Sequence, residues 1–507
     1  MFGPSGAAYN MCVETSTRKM GGHARPRNVD PGAAMKVPFF QKSLTRRAFV
    51  SAASLSATVT ILGGSRAVSQ AMAQAEAIAE LRAKAGSVRL RGPQQPATNI
   101  MGYGGTVPGP TVRLRRGQEF TARLINDGAE PTTIHWHGLR VPNAMDGTPY
   151  LTQLPVAPVQ SFDYRFVAKD AGTFWYHAAL AGQLARGLYG PVIVDESEPV
   201  DVDHDVLLVL DDWNLDDNGS LRDIGGSAAS GQHFLFTANG LRDLAIPARR
   251  GERIRLRLIN ATVNRLLPVS LSNQTAWVVA IDGQPAEPFI ARDSQVVIAP
   301  GNRIDLFVDI AEDVGDTVPI VIDSGGGQSV QIARFAIEGG ASRNGSRGAP
   351  KSLPQNPLPS RIDLRNALRV QLALGAAPLP AKPSVERKKI SNPKTNNQGT
   401  NVSWMPMDQL SSSLGAPLFS VRKDQPVVLT FANPGDQAYV IHVHGHTFRL
   451  LDNLDDGWKP FWLDTLLVGP QQTARIAFVA DLTGKWAIER RSLSEPSRES
   501  LTWFEVS

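Results

Sequence analysis

Three stretches of the chain repeat one cadence: TVRLRRGQEFTARLIND at Thr111–Asp127, LAIPARRGERIRLRLINAT at Leu244–Thr262 and LFSVRKDQPVVLTFANPG at Leu418–Gly435. Each alternates apolar and polar side chains, breaks at a turn, resumes the alternation and ends at an asparagine. Alternation with a period of two places every second side chain on one face of an extended strand. The copies lie about 130 to 170 residues apart, which is the size of a domain. An all-β chain of three β-sandwich domains is therefore expected. At 507 residues the chain is also too long for a single core. The expected divisions are an N-terminal extension over residues 1–73, then sandwiches at 84–198, 199–345 and 361–507. Gly339–Pro359, GGASRNGSRGAPKSLPQNPLP, has the composition of a linker between the second and third units. Ahead of the first unit, AEAIAELRAKAG at Ala75–Gly86 reads as a short helix.

The formal charge of +5 could suggest a nucleic-acid partner, but its location argues otherwise. Residues 1–73 hold nine Lys or Arg against two Asp or Glu, leaving 43 basic and 45 acidic residues in the remainder. No basic body is present to track phosphates, and no nucleic-acid partner is expected. The basic leader contains SLTRRAFV (Ser43–Val50), a moderately apolar stretch SAASLSATVTILGG, and AMAQA with small residues at Ala71 and Ala73. This resembles a twin-arginine (Tat) export signal cut after Ala73. A permanent membrane anchor would need about 20 apolar residues, and this stretch is shorter and rich in Ser, Ala and Gly. The expectations are a periplasmic product, transient engagement of the Tat translocase, membrane contact only through the signal, and Met35 as the true start. The single cysteine, Cys12, falls in the discarded segment. A mature chain without cysteine has no disulfide and no thiolate for catalysis or metal binding.

Six of the nine histidines lie in three motifs: IHWHG with His135 and His137, FWYHAAL with His177, and IHVHGHTF with His442, His444 and His446. Residues i and i+2 of a strand share a face, so each H-x-H pair can point into one cavity. Two such strands and a third histidine form a plausible set of imidazoles for copper or zinc. His446 reads as structural, and His204 and His233 as surface or loop residues. Met405 and Met407 are too few for a copper-handling methionine patch. Asp464 reads as a turn or packing acid.

The motifs TTIHWHGLRVPNAMDGTPY, GTFWYHAALAGQLARGLYGPVIV and HVHGHTFRLL…DTLLVGP…GKW, in this order, resemble the copper regions of the multicopper oxidases. LDDWNLDD, TANGL, LRLINATVNRLLPVSL, AIDGQP and APGNRIDLFVDI resemble that superfamily's middle domain. The resemblance implies three cupredoxin-like Greek-key β-sandwiches, a trinuclear copper cluster between the first and third, and a type 1 copper in the third. It assigns His135 and His442 to type 2 positions and His137, His177 and His444 to type 3 positions. The other three type 3 positions fall on Ala179, Glu489 and Arg491 of GKWAIERRSLSE. The type 1 positions fall on Tyr439, Arg490, Glu495 and Ser500, none of which is a usual ligand.

A type 1 site requires a thiolate, so no electron entry is expected and no oxidase activity. Strand alternation should turn Glu489 and Arg491 toward the old cluster and Arg490 toward the old type 1 pocket, with Glu489 paired to Arg491 or another arginine. No cofactor is expected, or at most one copper ion on the residual histidines. The same loss of ligands, fold and export signal resembles the SufI/FtsP type of cell-division protein. That resemblance implies a scaffold with periplasmic or divisome protein partners. The alternative expectation is a remnant oxidase or copper-binding protein with a single type 2-like copper.

Overall fold

The structure is a computed structural model. It describes residues 78–222, 234–271, 273–325, 328–342, 347–375, 404–411, 414–452, 457–495 and 499–507. Residues 1–73, where an export signal and its cleavage site are expected, and His233 lie outside the described residues. Among the described residues, no helix is long and apolar enough to cross a membrane.

The fold is nearly all β, in six sheets that pair into three sandwiches. The cadence found in the sequence has a structural counterpart in each. Val112–Arg115 and Glu119–Asn126 are the two strands of the first copy, Leu244–Ala248 and Arg253–Asn260 of the second, and Ser420–Val421 and Pro426–Ala432 of the third. In no copy do the two strands form a hairpin; each turn carries the chain from one sheet of its sandwich to the other. The turns use left-handed backbone at equivalent places, Gly117 (φ 83°), Gly251 (φ 83°) and Asp424 (φ 64°). Glycine tolerates that conformation freely and aspartate at modest cost.

The terminal asparagines explain why the cadence ends as it does. Asn126 donates from Nδ2 to the carbonyls of Glu130 and Val156, both at 2.8 Å. Asn260 donates to Arg265 and Ile298 at 2.9 and 2.8 Å, and Asn433 to Gln437 and Gly469 at 2.7 Å. Each also accepts a backbone N–H two residues ahead on Oδ1. A buried amide that satisfies loop carbonyls removes the cost of burying them, so one residue type closes the same loop in all three sandwiches.

Alternation fills the cores. Leu81, Phe120, Leu124, Trp136, Tyr164 and Val192 lie in the first, Leu256, Leu258, Val269, Leu306 and Ile320 in the second, and Leu429, Ile441, Phe478, Trp486 and Phe504 in the third.

One expectation is corrected. The helix-like piece is an extended strand, Ala79–Val88, which pairs antiparallel with Thr98–Tyr103 and parallel with Glu119–Asn126. Its Ala and Glu content favours a helix, but two ladders of hydrogen bonds and the burial of Leu81 and Ala83 override a propensity of a few tenths of a kcal/mol per residue. The segment with linker composition, between the second and third units, makes contacts of its own. Leu353 packs on Val279 and Phe307, and buried Asn356 bonds Ala171 in the first sandwich and Gln284 in the second.

Candidate metal centre

His135–His137 is a three-residue strand at the edge of a sheet, paired with Gly172–His177 so that His135 lies opposite His177. In the third sandwich Tyr439–Val443 pairs with Gly484–Ser492, placing His442 opposite Glu489. His444 follows the end of its strand and is held by its backbone N–H to Ala487. The next residue, Gly445, has φ 67°, and a Cβ there would lie 2.2 Å from the Trp486 ring. Only glycine permits this close approach, which keeps the H-G-H turn against the core. These elements bring all five predicted histidines, His135, His137, His177, His442 and His444, into one buried chamber between the first and third sandwiches.

The hydrogen bonds divide the chamber in two. His177 donates from Nδ1 to the carbonyl of Ala178 (2.9 Å), so its Nε2 can accept from His137 Nδ1 at 3.3 Å. His137 Nε2 in turn lies 2.9 Å from Thr465 Oγ1. The Thr465 hydroxyl donates in turn to Asp464 Oδ1 at 2.7 Å. The second pair meets across the two sandwiches. His135 Nδ1 faces the Asp146 carbonyl and His442 Nδ1 the Asp464 carbonyl, each at 2.9 Å. Carbonyls only accept, so both Nδ1 atoms carry hydrogen. The two Nε2 atoms then face each other at 3.1 Å with lone pairs opposed. Burial, against the pull of Asp464, brings His442 down to about 4.

An ion bonded to both nitrogens at the ordinary length of about 2.0–2.1 Å would resolve this opposition. The ligand atoms of His135, His137 and His442 all lie within 4.8 Å of one another. The residues present therefore fit one metal ion at His135 and His442.

The other end of the chamber is governed by charge. His444 Nδ1 lies 3.0 Å from Asp146 Oδ2, and its Nε2 3.2 Å from Glu489 Oε1, the latter too poorly aligned for a hydrogen bond. Burial alone would lower His444, but Asp146 and Glu489 outweigh it and raise the imidazole to about 10. Glu489 is held well below the carboxylate range, its burial outweighed by His444 and Arg491. Arg491 Nη2 stands 3.5 Å from Glu489 Oε2, and its Nε 3.2 Å from Glu499 Oε1. Glu489 and Arg491 line a small cavity with His137, His442 and Thr465, as alternation required, and the ion pair expected of Glu489 is present. A cation about 4 Å from Arg491 would meet roughly 4 kcal/mol of repulsion per unit charge at an effective dielectric near 20. His135, Asp146 and His444 also bring one ligand atom each within 4.8 Å of one another, so any cation held there would stand near the Arg491 charge.

Arg490 points the other way. Its Nε donates to Ser500 Oγ at 3.1 Å and its Nη1 to the carbonyl of Leu374. Its guanidinium stands 4.6 Å from the Trp404 ring and 5.3 Å from that of Tyr439. Three of the four positions that the resemblance assigned to type 1 ligands thus meet around one guanidinium. The fourth, Glu495, accepts from Gln437 Nε2 at 3.2 Å.

Several site residues were not weighed in the sequence. Asp146 lies within the quoted NAMDG motif, yet nothing local distinguishes it from a turn aspartate. Thr148 and Thr465 give no signal at all. Asp464 is indeed a buried packing acid, but it also supports the chamber. Its carboxylate forms a two-pronged pair with Arg303 of the second sandwich, through Nη1 at 2.8 Å and Nη2 at 2.5 Å, and approaches His137 and His442 at 3.4 and 3.5 Å. His446 bonds the His444 carbonyl at 3.0 Å and sits among Phe478, Trp486 and Phe504, a structural position. His204 is exposed beside Glu252.

Sequence profiles of the family described as "Multicopper oxidase" match residues 85–199, 204–333 and 382–489. The chain is 29% identical over 426 residues to the multicopper oxidase MmcO of Mycobacterium tuberculosis, covering 78% of this chain and 80% of that one. Among solved structures it is similar to Lac15 from a marine microbial metagenome, with 32% identity, TM-score 0.69, and coverage of 85% of this chain and all of the other. It is similar also to a multi-copper oxidase from Pseudomonas thermotolerans, with 31% identity, TM-score 0.71 and coverage of 84% and 98%.

Proposed function

From the premise that this chain belongs to the multicopper oxidase family, we propose that it is a non-oxidising member that acts through its surfaces as a scaffold. The observation that carries this reading is the guanidinium of Arg490 among Ser500, Tyr439 and Trp404. A blue-copper centre needs a thiolate with imidazoles to take an electron from substrate. Here a fixed cation stands at that place, and outside the leader the sequence has no cysteine to supply the sulfur. Export through the Tat pathway to the periplasm is part of the reading and rests on the twin-arginine leader. A role among division-septum proteins rests on resemblance alone, because fold does not fix function.

A second reading keeps one metal, and the opposed Nε2 atoms of His135 and His442 favour it. There the two imidazoles would hold a single copper-like ion. The ion would supply a Lewis-acidic, redox-capable centre, while Asp146 and Asp464 fix both rings through their carbonyls. In the same chamber Thr465 and Asp464 keep His137 turned away from solvent.

One experiment separates the readings. The secreted form is loaded with Cu(II) and dialysed, and bound copper is measured together with oxidation of a phenol. Below about a tenth of an equivalent with no turnover supports the scaffold. One retained equivalent, lost in His135→Ala or His442→Ala, supports the single-ion protein. Intense blue colour with oxygen consumption would sink both.

A further inference from the structure

The far end of the histidine chamber carries an uninterrupted run of alternating groups. Asp146, from the first sandwich, faces His444 Nδ1 of the third at 3.0 Å. Glu489 faces the opposite nitrogen of that ring at 3.2 Å. Its second oxygen faces Arg491 at 3.5 Å, and Arg491 faces Glu499 at 3.2 Å. Asp146, His444 and Glu489 are each no more than 5% exposed. The run crosses between sandwiches at the positions where the family's type 3 metal ions would be held, and three of those six positions are here Ala179, Glu489 and Arg491.

We infer that this run is the chain's own substitute for bridging metal: Asp146 of the first sandwich meets His444 of the third, and Glu489 and Arg491 back that ring from within the third sandwich. Three features support it. Glu489 projects the carboxylate toward the imidazole that lost its metal-binding partners. Arg491, two residues on, lies on the same face of the strand and reaches the second oxygen of that carboxylate. Buried charges persist only when each has a partner, and Glu489 and Arg491 each have two. The inference concerns only the Asp146–Glu499 end and stands whether or not His135 and His442 hold an ion.

The test is amide hydrogen exchange of the strands Tyr439–Val443 and Gly484–Ser492 with metal removed by chelator. The wild type stays protected, Glu489→Gln exchanges about tenfold faster there, and so does the pair Glu489→His with Arg491→His. Added Cu(II) restores protection to the pair variant and not to Glu489→Gln. Unchanged exchange in Glu489→Gln under chelator overturns the inference. So does a wild type that loses protection on chelation as strongly as the variant. A pair variant that Cu(II) leaves as labile as before reduces the run to ordinary packing and overturns its role as a metal substitute. Glu489→Gln preserves side-chain shape, so it reports even if the pair variant fails to fold.

Discussion

The two surfaces that the first sandwich buries against its neighbours are both rich in charge, yet they solve burial differently. Toward the second sandwich, Arg255 and Arg257 are fully buried. Arg255 pairs with Asp305 and Glu196, each at 2.7 Å, and Arg257 with Asp205 at 2.6 Å and Asp305 at 3.3 Å. Thr173 of the first sandwich adds a hydroxyl that donates to Asp305 at 2.6 Å and accepts from Arg257 at 2.9 Å. Every charge there meets its opposite. Toward the third sandwich, the chamber combines the pair His137 and His177, a salt-linked run ending at Glu499, and the facing Nε2 atoms of His135 and His442. The comparison teaches that imidazole is the residue that leaves an interface open to something else. Arginine and aspartate have fixed donor and acceptor character and close a surface completely, whereas a ring nitrogen without hydrogen waits for a cation.

The sharpest way to break this comparison is to remove the acid that serves both arginines of the closed surface. Asp305→Ala leaves Arg255 and Arg257 short of partners in a fully buried site and should cost about 3–5 kcal/mol, read by urea denaturation. A loss under about 1 kcal/mol would show that the network is redundant. Asp464→Asn is expected to cost less, about 2–3 kcal/mol, because Asp282 remains 3.6 Å from Arg303. It should also loosen His442, so any copper uptake falls along with stability.

Arg490→Met keeps most of the packing against Trp404 and Tyr439 and gives up the bonds to Ser500 and the Leu374 carbonyl, for about 1–2 kcal/mol in thermal unfolding. An effect as large as that of Asp305→Ala would mean the cation does more at that pocket than fill it.

The smallest effect concerns pH. Burial would raise Asp205, but Arg257 outweighs it and holds the carboxyl below its ordinary value. A depressed carboxyl contributes stability that is present above its unfolded value near 3.8 and is lost as pH falls through the folded value. The destabilisation by Asp205→Asn should therefore be full at pH 7 and shrink as the solution is acidified below about 4. A penalty independent of pH would show that Asp205 works through packing.

Much of the site was legible because strands convert spacing into direction. His135 with His137, His442 with His444, and Glu489 with Arg491 share a face for the same reason, and Arg490 is turned away from them. What was not legible came from partners distant in the chain. Asp146 looks like any turn aspartate until His444, nearly three hundred residues later, is placed against it. Asp464 could be identified as packing, but its partner Arg303 belongs to another sandwich. The helix expected at Ala75–Gly86 gives way to the strand Ala79–Val88 because alanine and glutamate favour a helix locally, while two waiting strand edges are a tertiary fact.

By itself the sequence determined a chain of three repeating sandwiches, the strands that carry histidine, and the absence of cysteine after residue 73. These depend on period, turn chemistry and residue type, all of which are local. Only the tertiary structure decided which imidazoles satisfy each other, which two are left opposed, and where Arg490 and Arg491 find partners. Protonation and charge pairing depend on burial and on distances of a few ångströms between groups far apart in the chain, and those distances exist only once the sandwiches have packed.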